Sequence, residues 1–160
     1  MEIRFAGPQD VAGILDLLQQ IGQLHHEGRP DIFRDQAQKY SASQVLALLN
    51  SSLTPVFVAV EAEKVLAYGF CKVKIHDQDP VIADYTDLYI DDLCVDKAYQ
   101  GKGIGTALYN EILRYAKMRR CQSITLNVWS FNEGAIKFYE SLGMKPQRIF
   151  MEKILESENA

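Results

Sequence analysis

Long apolar runs are missing from this sequence. Nowhere do about 18 apolar residues follow one another, so no segment reads as a membrane-spanning helix. The first residues, Met1-Glu2-Ile3-Arg4-Phe5, alternate like a strand and lack the charged-then-apolar stretch of an export signal. Cysteine is scarce: Cys71, Cys94 and Cys121 are an odd number without the CxxC or Cys/His spacing of a zinc site. They are expected to be reduced thiols, and the compartment to be cytoplasmic. Blocks of lysine and arginine are also absent, and at a net charge of -4 the chain offers no continuous basic stripe to a phosphate backbone. Neither nucleic acid nor a membrane is an expected partner. No repeat, low-complexity tract or linker interrupts the chain. With 160 residues, 48% hydrophobic and 24% charged, it is expected to form a single domain over 1–160 whose core needs neither disulfide nor metal.

What is present is periodic. Residues 2 to 6 read as a short strand, and Gly7-Pro8 with Asp10 in the first turn starts a helix. Val11, Ile14, Leu15, Leu18 and Ile21 recur along it at helical spacing. From Gly22 to Tyr40 the chain turns polar, with His25-His26-Glu27-Gly28-Arg29-Pro30 at its centre, which predicts a loop or a broken helix. Ser41 or Ser43 caps a second helix carrying Val45, Leu46, Leu48 and Leu49. The period then changes to two, and 56–60, 65–75 and 85–95 read as three antiparallel strands separated by polar turns. A helix from about Gly103, a strand over 123–129, a helix opened by the capping-box spacing Ser130 to Glu133, and a last strand over 147–154 complete the order. This order predicts an α/β (α+β) fold with a mixed, mostly antiparallel, twisted sheet flanked by helices.

Chemistry concentrates in Val95-Asp96-Lys97-Ala98-Tyr99-Gln100-Gly101-Lys102-Gly103-Ile104-Gly105-Thr106. A strand ends near Val95 and a helix begins near Gly103. Glycines between them let consecutive N–H groups turn toward one point, where the positive end of the helix dipole also lies. That is a cradle for a phosphate or pyrophosphate. The Walker spacing is absent, and a dinucleotide fingerprint would need glycine at Thr106 and a place after the first strand of a parallel sheet.

Gln100-x-x-Gly103-x-Gly105 resembles the pyrophosphate signature of the GNAT acetyltransferase superfamily, whose usual form is Q/R-x-x-G-x-G/A. The stretch Asn132-Glu133-Gly134-Ala135-Ile136-Lys137-Phe138-Tyr139-Glu140-Ser141-Leu142-Gly143-Met144 is similar to that family's N-x-x-A-x-x-F-Y-x-x-x-G-F, with Met144 in place of the aromatic. The resemblance implies acetyl-CoA as cosubstrate and a sheet splayed between its fourth and fifth strands. It implies that Gln100, Gly101, Lys102, Gly103, Ile104, Gly105 and Thr106 hold the pyrophosphate, and that Leu93, Cys94 and Val95 bind the pantetheine arm through main-chain hydrogen bonds. Asn132 and Ala135 fall at cofactor-contact positions. Tyr139 falls at the position of the general acid that protonates the departing thiolate, and also lies against the cofactor.

An alkylammonium with a pKa of about 10.4 must lose a proton before it attacks a thioester, so a base is needed. Asp84, Asp87, Asp91, Asp92, His25, His26 and Glu27 are candidates. Asp91 is preferred, because Ile-Asp-Asp-Leu resembles the family's hydrophobic-Glu-Asp-hydrophobic and because on an unbulged strand Asp91 shares a side with Leu93 and Val95. No metal is expected at His25-His26-Glu27, since neighbouring histidines diverge and spacing fixes no third ligand. The segment from Gln23 to Phe33, with Tyr40, Tyr85, Tyr89 and Trp129, is expected on the acceptor side. The acceptor expected is a primary amine of a small molecule, with a protein N-terminus or lysine as the alternative and a non-catalytic acyl-CoA-binding module as a further one. A homodimer is left open.

Overall fold

The computed structural model describes residues 1–157, which divide into two compact units, Met1–Asn127 and a second beginning at Val128. In the first, β1 (Glu2–Phe5) leads through a one-turn 3-10 helix into α1 (Val11–Gly28) and α2 (Ala42–Leu49). β2 (Val56–Glu61), β3 (Lys64–His76) and β4 (Tyr85–Val95) follow, then α3 (Ile104–Met118) and β5 (Ser123–Leu126). The sheet runs in the order β1-β2-β3-β4-β5. Its first four strands are antiparallel, and β5 joins β4 in parallel after the α3 crossover.

Each face of the sheet is covered for a reason visible in the side chains. α1 and α2 bring Ile14, Leu17, Leu18 and Val45 onto the face that holds Val58, Tyr68, Phe70 and Cys94, and this cluster is the core. Burying a leucine or isoleucine contributes roughly 1.5–3 kcal/mol, so this one cluster carries much of the unit's stability. α3 covers the other face with Leu108 and Ile112, close enough that a side chain at Gly69 would meet Ile112 Cδ1 at 2.9 Å. At the entry to α1, the buried Asp10 accepts hydrogen bonds from Arg4 at 2.7 and 3.1 Å and from the Gly7 N–H at 2.8 Å. Burial pushes the Asp10 carboxyl up, but Arg4 and Gly7 together hold it below its ordinary value.

Three expectations change. First, α1 does not stop near Gly22 but continues to Gly28, with its polar last turns outside the core. Gly22 is a close-approach residue inside this helix, because a Cβ there would lie 2.3 Å from the Ala37 carbonyl oxygen. Second, β5 ends at Leu126 instead of 129. Third, among the described residues of the second unit α4 (Glu133–Ser141) is the regular element, and the strand expected over 147–154 has no partner strand among them. A strand requires one.

Gly22→Ala sets two effects against each other. Alanine in an unencumbered helix interior is better than glycine by about 0.5–1 kcal/mol, whereas overpacking typically costs about 1–3 kcal/mol. The clash is with backbone and wins. Thermal unfolding is expected to show a lower Tm for Gly22→Ala than for the wild type, and a higher Tm would mean that the Ala37 segment gives way freely.

Candidate active site

The geometry begins with an irregularity in β4. Ala67 to Phe70 face Val95 to Asp92 in steady register, and then Cys71 faces Ile90. Asp91 is the extra residue, a β-bulge on β4. The unbulged strand expected from the sequence is therefore not what forms. The pairing of β4 with β5 also ends here, at Ile90 and Leu126, while β4 continues to Val95 paired with β3 only. The sheet is splayed between its fourth and fifth strands, as expected.

Hydrogen-bond alternation shows what the free half of β4 presents. The Asp96 N–H donates to the Leu66 carbonyl at 2.8 Å, so Leu66–Asp96 is a bonded pair. Bonded and non-bonded pairs alternate along an antiparallel ladder. Tyr68–Cys94 and Phe70–Asp92 are then bonded pairs, and the N–H and C=O of Leu93 and Val95 point away from β3, toward the open edge. Cys94 differs from its neighbours: its main chain serves β3, and its buried thiol lies 3.7 Å from the Leu17 carbonyl. Burial first, then Asp92 and Asp96, push that thiol up to about 12, which leaves it un-ionised at neutral pH. Of the three residues expected to hold the arm, two offer main-chain groups to the edge and the third packs the core.

Beyond β4 the chain turns sharply. Asp96 accepts from the Ala98 N–H at 3.0 Å and caps the single turn Lys97–Tyr99. Gln100 Nε2 then donates back to the Val95 carbonyl at 3.2 Å, tying the loop to the end of the strand. Gly101 and Gly103 follow with φ of +79° and +80°, a left-handed backbone that disfavours side chains, and open space where a Cβ would stand. Gly103 is the N-cap of the 15-residue α3 and has no side chain to satisfy the N–H groups of Ile104, Gly105 and Thr106. The stretch expected to form the cradle thus carries two left-handed glycines and a helix N-terminus with no side-chain cap.

Two neighbouring carboxylates, Asp91 and Asp92, face the α1/α2 side of the sheet in different surroundings. Asp91 accepts from the Tyr40 hydroxyl at 2.5 Å, with Lys39 Nζ at 3.2 Å and Lys72 Nζ at 3.7 Å. Burial pushes its carboxyl up, but Tyr40 and the two ammonium groups prevail and hold it below the ordinary value. Asp92 accepts from the Tyr68 hydroxyl at 2.8 Å, and burial raises it, with the charge of Asp91 adding to the effect. The Tyr40 and Tyr68 rings both pack on Phe70, at 5.2 and 4.9 Å between centroids, which fixes the two hydroxyls. The Tyr40 phenol is itself pushed up, by burial and by Asp91.

Other candidates have contacts of their own. Asp87 is buried and accepts from His76 Nε2 at 2.6 Å and from Thr125 Oγ1. Tyr85 stacks on His76, and the Tyr89 hydroxyl accepts from Asn127 Nδ2. His25 stacks on Phe33, while His26 Nδ1 shares a hydrogen with the Phe33 carbonyl, so the two rings serve different contacts. Glu27 accepts from Gln23 on the last turns of α1. In the second unit Asn132 caps α4, accepting from the Ala135 N–H at 3.2 Å, Tyr139 packs beside Phe138, and Trp129 stacks with Phe131. Sequence reasoning missed Lys39, Lys72 and the Tyr68–Asp92 pair, because nothing in the spacing of a loop lysine or a core tyrosine announces a carboxylate partner.

The profile of the acetyltransferase (GNAT) family matches residues 18–144. The chain belongs to this family. The BH1408 protein of Bacillus halodurans, solved in a mutant form, is 34% identical and superimposes with a TM-score of 0.94 over 98% of this chain and 100% of that one. An uncharacterised N-acetyltransferase of Methanocaldococcus jannaschii is 42% identical over 60 residues, which are 38% of this chain and 26% of the relative. N-alpha-acetyltransferase 30 of Schizosaccharomyces pombe is 34% identical over 87 residues, 54% of this chain and 55% of the relative. The match thus spans from about a quarter to about half the length of these two curated relatives. Among the described residues no helix is long and apolar enough to cross a membrane.

The contrast between the two aspartates fixes the sign of a stability effect. A carboxyl whose folded pKa is raised contributes stability that is present below its unfolded pKa and lost as pH rises through the folded one. Asp92→Asn keeps an acceptor for Tyr68 and removes the buried charge. The variant is expected to gain thermal stability over the wild type at neutral pH, and the gain is expected to vanish as acid protonates Asp92. Unfolding curves across pH check this; a gain that grows on acidification would place the raised carboxyl elsewhere.

Proposed function

We propose that the protein is an N-acetyltransferase that moves the acetyl group of acetyl-CoA to a primary amine in a ternary complex. The observation that carries this reading is the continuity of the open edge of β4, with Leu93 and Val95 facing outward, into the glycine cradle at the N-terminus of α3. An extended thioester arm ending in a pyrophosphate is the ligand chemistry that suits an unpaired strand followed by an anion site. The family match crosses from the first unit into the second, which supports reading them as one acetyltransferase domain.

In this mechanism Gln100, Gly101, Lys102, Gly103, Ile104, Gly105 and Thr106 hold the pyrophosphate of the cosubstrate. Leu93 and Val95 align the arm, and the Val95 N–H donates to the oxygen that becomes negative as the amine adds. Asp91 holds the acceptor as its ammonium. Asp92, whose proton affinity is raised, suits removal of the proton better than Asp91, the base preferred from the sequence. As nitrogen bonds to the acetyl carbon and the carbon–sulfur bond breaks, Tyr139 delivers a proton to sulfur. Asn132 and Ala135 at the start of α4 serve the arm. No covalent acyl-enzyme is involved, in keeping with the un-ionised thiol of Cys94.

The acceptor is read as a small-molecule amine, because Tyr40 and Lys39 close over Asp91 and leave its side chain only 10% exposed. A protein N-terminus is the second reading, favoured by the relative from S. pombe. An amine and peptide panel that follows thiol release from acetyl-CoA separates the two, and no release with any acceptor would defeat both.

Two variants test the parts. Gly103→Asp puts a side chain and a negative charge where phosphates would lie, and calorimetry is expected to show loss of CoA binding; unchanged affinity moves the cradle elsewhere. Tyr139→Phe is expected to keep CoA affinity while kcat falls roughly 10- to 1000-fold, the usual scale for removing an acid-base group. An unaltered rate in a chemistry-limited assay removes Tyr139 from the proton path.

A further inference from the structure

Lys39 already occupies the place that an acceptor amine would take. Its Nζ lies 3.2 Å from a carboxylate oxygen of Asp91 and 3.2 Å from the Asp91 main-chain carbonyl. Those two contacts set the ammonium at the bulge itself, where β4 leaves β5 and the outward-facing stretch of Leu93 to Val95 begins. The Tyr40 ring lies 5.7 Å below the cation, and His25 is close enough to feel its charge. Lys39 belongs to the irregular segment between α1 and α2, so its position does not depend on strand pairing. Lys72, the other cation at Asp91, is carried by β3 and bound to the sheet register, at 3.7 Å and without the carbonyl contact.

We propose that Lys39 is itself an acetyl acceptor, a self-modification site that is filled when no external amine is present. This rests on the acetyl-transfer reading above. One proton of the Lys39 ammonium passes to the neighbouring carboxylate and on to solvent. The freed Nζ lone pair adds to the acetyl carbon, an N–C bond forms and the C–S bond breaks. Sulfur departs as the CoA thiol, protonated by Tyr139, and the second proton, which leaves the nitrogen as the amide forms, passes through solvent to restore the Tyr139 hydroxyl. Lysine ammonium and acetyl-CoA thus give N-acetyl-lysine, CoA thiol and one solvent proton. Acetylation removes a positive charge from Asp91 and leaves Lys72 as its ammonium partner. An external amine competes for the same carboxylates, so turnover and self-modification exclude each other.

The test is to incubate the full chain with acetyl-CoA alone and locate acetyl groups by intact mass and peptide mapping. One acetyl on Lys39 is expected, at a rate constant independent of protein concentration, absent from K39R and from the Gly103→Asp variant, and slowed by an amine that the protein acetylates. Acetyl spread over exposed lysines, acetyl on Lys72, or Lys39 acetylation undiminished in Gly103→Asp would each overturn the proposal, because they report chemical acetylation or a different geometry. If the amine panel is acetylated while Lys39 stays unmodified, the self-modification falls and the transferase reading stands. If neither an amine nor Lys39 is acetylated, the transferase reading falls with it.

Discussion

Between Cys71 and Phe70 on one side and Ile90 and Asp92 on the other, the ladder has to accommodate one residue more on β4 than on β3, and that residue is Asp91. The insertion shifts the strand's alternation by one. Ahead of it, Thr86 turns its carbonyl to the β5 side, where Gln122 donates to it at 2.8 Å. Past it, Leu93 and Val95 take over the outward direction where β5 no longer follows. The same shift lets two consecutive side chains, Asp91 and Asp92, reach the α1/α2 face, which a regular strand forbids. Edge, paired carboxylates and splay all derive from one inserted residue.

Two carboxylates one residue apart would repel if both were charged and equally buried. The surroundings divide them. Two lysines and a phenol stabilise charge on Asp91, whereas at Asp92 desolvation outweighs the help of the Tyr68 hydroxyl, the Lys39 charge and the Leu93 N–H and favours the neutral form. The tilted and edge-on packing of Tyr40 and Tyr68 against Phe70 keeps this division rigid, since each hydroxyl is positioned by packing instead of by a mobile chain.

Most of the architecture was legible because it rests on local pattern. The period-two runs became β2, β3 and β4, and the glycine spacing at 101, 103 and 105 became a helix start with left-handed turns. What was not legible depends on partners distant in sequence. Gly22 looks like a helix breaker until the Ala37 carbonyl is seen against it. An Asp-Asp pair carries no mark of a bulge, because the extra residue is counted only against β3. Lys39 stands 52 residues from Asp91, and a lysine in a polar loop reads as solvated surface.

The open edge has a consequence for how such a site records its history. Leu93 and Val95 present to the edge only what the peptide bond supplies, and every amino acid except proline carries the same N–H and C=O. Their side chains answer to the fold, and in the proposed reading the working atoms lie in the chain that all substitutions share. Exchange of one residue type for another at these two positions therefore leaves the groups on the edge in place. Proline alone deletes an amide, so it is the substitution that separates the work of the backbone from that of the side chain at this edge.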